Sequence, residues 1–460
     1  MRRGFLATSK AKERIDKAVS DSNTPVLPKF TELSHGVVPE AGVPKDYKPD
    51  FDHEYNEFSA DTLNYPKKVA VYTSIPARGC NDKPSDIPGG WAECFIPGEL
   101  KRELYSTPGF PRVPLAPTGG KAYCIKELEE PGRNDLGLFA TRLIHAGDLV
   151  VDERPMLVVS GGSNVPLPES IASYMAEQLR QVTTLEQLKQ VIFHGWGTLV
   201  KTAFDRMADE YKEEFMALAN SHEHDGSDEI VGRIRTNGIQ ALDGAGSAVC
   251  KDISRVNHSC GPNTSFSWHT ESFSVQLIAV RDIPPNTEIT ISYCNKLAPA
   301  SERATTLAPY EISSCICTDT GLSCFDPARS KIGDARRAKF AQDIIALTPP
   351  FEKPPPGTPK DAWVQPALRR FRELEEEGLE GTEYYQKTAH QLMNVYTFLQ
   401  DMEKTLFYAG KLKGVYKFYE KKELDMMYFN EEEIRESPMW TMGNLHKMGA
   451  PVFVSFAPLE

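Results

Sequence analysis

The sequence predicts an α+β protein, with a β-rich unit in the middle of the chain, helices inserted into that unit, and a helical tail behind it. Three observations predict this. Short runs rich in β-branched residues flank a stretch with helical apolar spacing. A proline-rich stretch, Pro349-Pro350 to Pro354-Pro355-Pro356-Gly357, separates the unit from the last part of the chain. The 460 residues, 40% hydrophobic and 25% charged, are enough for a sizeable core divided among about two or three domains, which rules out a disordered or fibrous protein.

Residues 1–119 are rich in Pro, Asp, Lys and aromatics but lack sustained periodicity. They end in Ser106-Thr107-Pro108-Gly109-Phe110-Pro111 and Pro117-Thr118-Gly119-Gly120, and are expected to form a loosely structured arm and linker. From Ala122 onward, Tyr123-Cys124-Ile125, Leu149-Val150-Val151 and Met156-Leu157-Val158-Val159 read as strands between turn residues. Residues 169–218 then switch period. Ile171, Tyr174, Met175, Leu179 and Val182 share one helical face, and Leu185, Leu188 and Ile192 repeat it, within a helical insertion spanning about residues 165–240. Past a polar stretch around His222, His224, Asp225 and Gly226, strands return at 273–280 and 288–294. The second alternates so that Ile289, Ile291 and Tyr293 fall on one face. In the tail, Tyr385, Leu392, Val395, Tyr396, Leu399, Met402 and Leu406 follow helical spacing, and no repeat suggests a solenoid. The resulting layout is 1–119, 120–325 and 326–460.

Acidic residues outnumber basic ones by 64 to 52, a net charge of −12 that argues against direct nucleic-acid binding through phosphate neutralisation and suits basic partners such as lysine-rich tails. No apolar run approaches the roughly 20 residues that cross a bilayer. The opening Met1-Arg2-Arg3-Gly4-Phe5-Leu6-Ala7 is too short for a secretory signal, so the expectation is a soluble intracellular protein of cytoplasm or nucleus. Nine cysteines make an odd number, unsuited to a disulfide framework. Six of them, Cys250, Cys260, Cys294, Cys315, Cys317 and Cys324, fall in one quarter of the chain, which points to metal ligation.

The most informative segment is Ser254-Arg255-Val256-Asn257-His258-Ser259-Cys260-Gly261-Pro262-Asn263, which places hydrogen-bonding side chains and a thiol between two strands. Alone, it also suits a structural histidine with satisfied neighbours. Its context is Leu136-Gly137-Leu138-Phe139-Ala140-Thr141 upstream, with Glu288-Ile289-Thr290-Ile291-Ser292-Tyr293-Cys294, Cys315-Ile316-Cys317 and Cys324 downstream. In this order, from about Tyr123 to Cys324, the segments resemble SET-domain protein lysine methyltransferases. The inserted helices resemble the split-SET, SMYD-like branch common among fungal SET proteins, here without the paired-CxxC MYND finger. The resemblance implies a β-clip fold of small antiparallel sheets with a post-SET zinc segment at 310–325. It also implies S-adenosylmethionine as cofactor and a lysine-containing protein or peptide as substrate.

Moving a methyl group from a sulfonium to an amine requires both partners held in line, so positioning dominates. By resemblance, the glycine-containing turn at Leu136, Gly137 and Leu138 lets backbone approach the cofactor. Asn257 binds its amino-acid end, His258 presents backbone groups to its adenine, and Ser254 and Val256 complete that wall. Thr236-Asn237-Gly238-Ile239 nominates Asn237 for the methionine carboxylate, although Asn-Gly is also an ordinary turn. Tyr293 is the catalytic candidate, orienting the lysine amine beside the methyl group; the other reading is a core tyrosine on an amphipathic strand. A lysine amine with a pKa of about 10.4 must react neutral, which an apolar channel favours. Cys260, Cys315, Cys317 and Cys324 would make a closed zinc tetrahedron, against the alternative of small buried cysteines.

Three departures mark this chain. Gly132-Arg133-Asn134-Asp135-Leu136-Gly137 lacks the relatives' further glycine. Isoleucine stands near the usual aromatic before Cys315, leaving Tyr310 to help enclose the pocket, and six residues separate Cys317 from Cys324. These departures motivate a second reading, a catalytically silent SET module that binds peptides or scaffolds a complex. A zinc-stabilised DNA binder is set aside for want of a basic stripe.

Overall fold

The computed structural model describes residues 56–57, 63, 70–79, 81–128, 136–160, 176–223, 225, 227–313, 315, 317, 323–342, 347–350, 357–418, 430–450 and 456. Ile171, Tyr174, Met175, the turn at 132–135, His224, Gly226, Ile316 and Pro354 to Pro356 lie outside them. The strands are β1 (Asn56–Glu57), β2 (Ala70–Ile75), β3 (Ala92–Pro97), β4 (Tyr123–Glu127), β5 (Leu136–Ala140), β6 (Leu149–Glu153), β7 (Leu157–Ser160), β8 (Ile239–Ala241), β9 (Gly246–Val249), β10 (Asn257–His258), β11 (Thr264–His269), β12 (Ser274–Ala279) and β13 (Glu288–Ile291). They form three sheets, ordered β1-β2-β3-β7-β9-β8, β10-β13-β5-β4 and β11-β12-β6.

Within the expected arm, residues 70–106 are folded. Strands β2 and β3 pair antiparallel, β3 runs parallel to β7 with Glu93 opposite Leu157 and Phe95 opposite Val159, and α1 (Gly98–Ser106) follows. Both strands are buried on both faces, so they lack the in–out alternation that marks a strand in sequence. Buried Glu93 fastens this hairpin, its carboxylate accepting from Ser74, Arg78, Trp91 and, across to the inserted helices, Arg206.

The insertion holds α2 (Leu185–Asp205), α3 (Asp209–Met216) and α4 (Glu229–Asn237). A capping box between Thr184 and Gln187 starts α2, and the Asp228 carboxylate caps α4. The buried face of α2 carries Val191, Leu199, Val200 and Ala203, whereas Ile192, expected to face inward, is 43% exposed. The helix turns instead on Gly197, where a Cβ would lie 2.6 Å from Asp228 Oδ2, and a close approach of this kind leaves no apolar mark in the sequence. This face packs on Tyr72, Phe95, Leu157 and Val159, while the opposite side of the sheets encloses Val71, Leu138, Val256, Leu277 and Ile289.

Behind the sheets come α5 (Ala300–Leu307), α6 (Pro327–Gln342), α7 (Gln365–Glu376), α8 (Glu383–Leu399), α9 (Met402–Phe418), α10 (Glu431–Glu436) and α11 (Pro438–Lys447). The apolar run from Tyr385 to Leu406 is two helices, because Gln400 turns left-handed at φ 57° and its amide closes on Thr397 and Tyr396 carbonyls. Helix α6 is joined to the end of α7 at Glu377, which is 2% exposed and accepts from Arg329, Arg336 and Arg337. There Gly378, at φ 67°, lies so close to Gly261 that a Cβ on it would sit 2.6 Å from the Gly261 Cα. Among the described residues no helix is long and apolar enough to cross a membrane.

Candidate functional site

The end of α4 and the parallel pair β10/β13 meet at a half-open cleft of about 150 Å³. Its walls are Thr236, Asn237, Gly238, Ile239 and Gln240; Ile253, Ser254 and Val256; Phe266; Ile291, Ser292 and Tyr293; and Tyr310. Five residues picked out in the sequence thus meet there: Asn237, Ser254, Val256, Tyr293 and Tyr310. Ser254 Oγ bridges two walls, donating to the Asn237 carbonyl at 2.9 Å and accepting from the Cys250 amide at 2.9 Å.

Tyr293 lies beyond the strand that was expected to carry it. Strand β13 ends at Ile291, and the Tyr293 amide donates at 3.0 Å to His258 Nδ1 instead of to a neighbouring strand. The ring still packs against the core that holds Ile289 and Ile291. Its hydroxyl donates to the Val256 carbonyl at 2.6 Å, and the ring packs at 5.5 Å from His258 and 5.0 Å from Tyr310. Burial raises the pKa of the Tyr310 hydroxyl. The Tyr293 hydroxyl hydrogen is held by the Val256 carbonyl.

Both asparagines have their donors engaged by protein. Asn237 Nδ2 donates to the Ala219 and Arg233 carbonyls at 2.7 and 2.8 Å, and Asn257 Nδ2 to the Leu136 carbonyl and Glu288 Oε1 at 3.1 and 2.8 Å. Neither Oδ1 has a protein partner among the described residues. Leu136, Gly137 and Leu138 sit on β5 rather than on a turn and do not line the cleft. Leu138 is wholly buried in the core, and Gly137 is where a Cβ would come within 2.9 Å of Glu288 Oε1 and 3.0 Å of Asn257 Nδ2. Asn263 serves the scaffold, its amide group exchanging bonds of 2.8 Å with the Glu288 carbonyl and the Thr290 amide.

Next to the cleft lies a sulfur cluster. The sulfurs of Cys315, Cys317 and Cys324 are all within 4.8 Å of one another, as are the donor atoms of His258, Cys260 and Cys315. The Cys260 amide donates to Cys315 Sγ at 3.3 Å, and His258 Nε2 is 3.2 Å from Cys260 Sγ. Burial lowers the His258 pKa to about 4, so the ring is neutral, accepting at Nδ1 from Tyr293 and donating at Nε2 to sulfur. Hydrogen bonding with Cys294, Cys315, Cys317 and Cys324 pushes the Cys260 thiol up, while the bond with Cys260 leads the causes that pull Cys324 down. Thiols this crowded share protons, and a divalent cation replaces those protons with one doubly charged ion. The two donor groups share Cys315, and each suits a thiolate-held metal ion such as zinc. Cys294 is a fifth thiol at its edge, lowered to about 6 chiefly by its hydrogen bond with Cys260.

Residues 135–294, which hold β5 through β13, match the family model described as SET domain. The chain carries a SET domain. Among curated proteins, the human N-lysine methyltransferase SMYD2 is 25% identical over 199 residues, covering 40% of this chain and 44% of that protein. The Danio rerio N-lysine methyltransferase SMYD2-A is 30% identical over 108 residues, covering 23% and 24%. The chain thus spans less than half the length of these curated relatives. Among solved structures, the SET domain of LSMT bound to lysine and AdoHcy aligns with 72% of this chain and 91% of its own, at 12% identity and a TM-score of 0.23. Chaetomium thermophilum polycomb repressive complex 2 aligns with 71% and 33%, at 13% identity and a TM-score of 0.22.

Several residues of the SET domain and its flank were not singled out by the motifs. Thr236, Gly238, Ile239, Gln240, Ile253, Phe266, Ile291 and Ser292 line the cleft by adjacency, and Glu288 orients Asn257 from the next strand. Arg303, on α5, donates to Cys324 Sγ at 3.7 Å and has no sequence signal beyond an ordinary helical arginine.

Proposed function

We propose that this chain is an S-adenosylmethionine-dependent protein-lysine N-methyltransferase acting on a lysine-containing protein or peptide, with zinc held by Cys260, Cys315, Cys317 and Cys324. The reading is carried by one observation: a tyrosine hydroxyl pinned to the Val256 carbonyl at 2.6 Å, on a cleft it shares with Asn237, Ser254 and Tyr310. The cofactor, when bound, supplies a methyl group on a positively charged sulfur. Asn237 and Asn257 hold its amino-acid end, and since their Nδ2 donors are engaged, each offers an Oδ1 acceptor suited to the ammonium, in place of the carboxylate contact expected of Asn237. His258 and Val256 form the adjoining wall, and Tyr310 closes the cleft over Tyr293.

The substrate amine reacts neutral. Ile239, Ile253, Phe266 and Ile291 make the cleft partly apolar, which disfavours the ammonium form. Tyr293 Oη accepts from the remaining N–H of the amine, fixing its lone pair without taking its proton, because the hydroxyl hydrogen stays on the Val256 carbonyl. The sulfur cluster is structural: it ties the segment after the SET domain to Cys260, two residues from His258. The SET unit is proposed to occupy 120–325, completed by the hairpin at 70–97.

Calorimetric titration of the zinc-loaded chain with S-adenosylmethionine tests this, followed by transfer of labelled methyl to a lysine peptide pool. Saturable binding near one site per chain is the expected result. A folded, zinc-loaded protein without affinity for the cofactor would overturn the enzyme reading and leave a silent SET module.

A further inference from the structure

We propose that Arg303 is a positioning residue for the metal site, a buried cation that balances the charge of the sulfur cluster and couples metal occupancy to the cleft. This rests on the zinc reading above. Four thiolates around a divalent cation carry two excess negative charges, and Cys260, Cys315 and Cys324 are buried, so solvent offsets little of that charge. The guanidinium of Arg303 is 1% exposed and reaches Cys324 Sγ at 3.7 Å. It lies 5.7 Å from the centre of the Phe325 ring, one residue past the cysteine.

What else Arg303 touches decides its role. Among the described residues its Nε has no hydrogen-bond partner, and the carboxylate it pairs with, Asp334, stands off at 3.8 Å, half-buried and already accepting from the Ala300 amide at 2.9 Å. A fully buried guanidinium with one long carboxylate contact is stabilised further by negative charge on the sulfur it reaches, as around a metal. The dependence is reciprocal: the thiolates hold Arg303 in place to the extent that Arg303 holds them charged. Arg303 stands on α5, and α5 leads through the turn Ala308–Tyr310 to the ring that packs 5.0 Å from Tyr293. Loss of the metal therefore strands a buried cation, and its release carries Tyr310 away from the cleft.

The full zinc-loaded chain tests this through the rate at which zinc passes to the chromogenic chelator 4-(2-pyridylazo)resorcinol. Arg303→Met, similar in length but neutral, should transfer zinc at least about tenfold faster than the parent, as expected for loss of a hydrogen bond to a charged acceptor. Arg303→Lys should restore the rate to within about threefold because it keeps the charge. Packing alone predicts the reverse order, with the methionine variant at the parent rate and the lysine variant fast, and that result would overturn the proposal. If Arg303→Met is insoluble, Asp334→Asn decides the matter. It keeps an acceptor for Ala300 and removes a competing charge, so zinc transfer should be no faster than in the parent, and faster transfer would count against the charge role. A zinc-free parent after zinc-supplemented expression would overturn the zinc reading itself; a zinc-bound parent matched by Arg303→Met would overturn only the role of Arg303.

Discussion

Replacing Tyr293 by phenylalanine removes one oxygen, and its surroundings give the size of the effect on two separate scales. The hydroxyl's partner is the carbonyl of Val256, a residue only 1% exposed, so the variant loses the 2.6 Å bond and leaves that acceptor unpaired. Losing a net hydrogen bond and leaving a buried carbonyl unmatched together cost about 2 kcal/mol, which lowers the melting temperature by about 4–8 °C. On the catalytic scale, an amine with nothing to fix its lone pair should react about 100-fold more slowly, equivalent to about 2.7 kcal/mol in the barrier. Affinity for S-adenosylmethionine should change little, because the asparagine acceptors are untouched. The assay is single-turnover methyl transfer well below the melting temperature, with calorimetry on the same preparation. A variant that loses the expected stability yet transfers methyl at the parent rate would show that the hydroxyl only supports the Val256 loop, and the catalytic assignment would be wrong.

Three further outcomes follow from the same geometry. Stripping zinc with a strong chelator should speed amide hydrogen exchange over 257–261 and 308–312 by at least about tenfold, since His258, Cys260 and α5 are anchored through the sulfurs; unchanged exchange would mean that the metal supports neither segment. Gly443→Ala would place a Cβ 2.0 Å from the Phe398 carbonyl, so urea unfolding should show a loss of about 2 kcal/mol or more from the helical tail while cofactor titration stays at parent values. Burial pushes the Asp225 carboxyl up, but hydrogen bonds from His222, Arg235 and Ser227 outweigh it and leave the group below its ordinary 3.8. The folded state then binds fewer protons than the unfolded one, so this contribution is present above that pH and is lost as pH falls below it. Asp225→Asn should flatten the acid limb of a stability–pH curve, and an unaltered limb would refute the assignment.

Legibility in the sequence followed whether a residue's role depends on near neighbours. The half-buried strands β4 and β6 and the wholly buried β7 and β12 were readable because their apolar and β-branched residues lie between turn residues. Strands β2 and β3 were not, since buried polar residues, Thr73, Ser74 and Glu93, interrupt the apolar run that marks the other buried strands. The cysteines could be read as a group from their clustering, and the structure brings Cys260 against Cys315 across the intervening strands. Alternation placed Tyr293 with the Ile289 and Ile291 core, against which it packs, but could not show that its amide leaves the strand ladder for the His258 imidazole. Arg303 and Glu288 act on residues 21 and 31 positions away, and no local pattern carries information of that kind.

The parallel pairing of β3 with β7 bears on how such a protein can be inherited in pieces. Strand β7 lies inside the segment that matches the SET family, whereas β3 lies some 40 residues before it, and together they make the middle of one sheet. Recombination that moved residues 135–294 alone would deliver a sheet with Leu157, Val158 and Val159 along a bare edge, a ready template for pairing with a second copy of itself. The transferable unit is therefore longer than the recognisable one. Any lineage that exchanged this domain would have had to carry the upstream hairpin along or recruit another strand to cover the same edge.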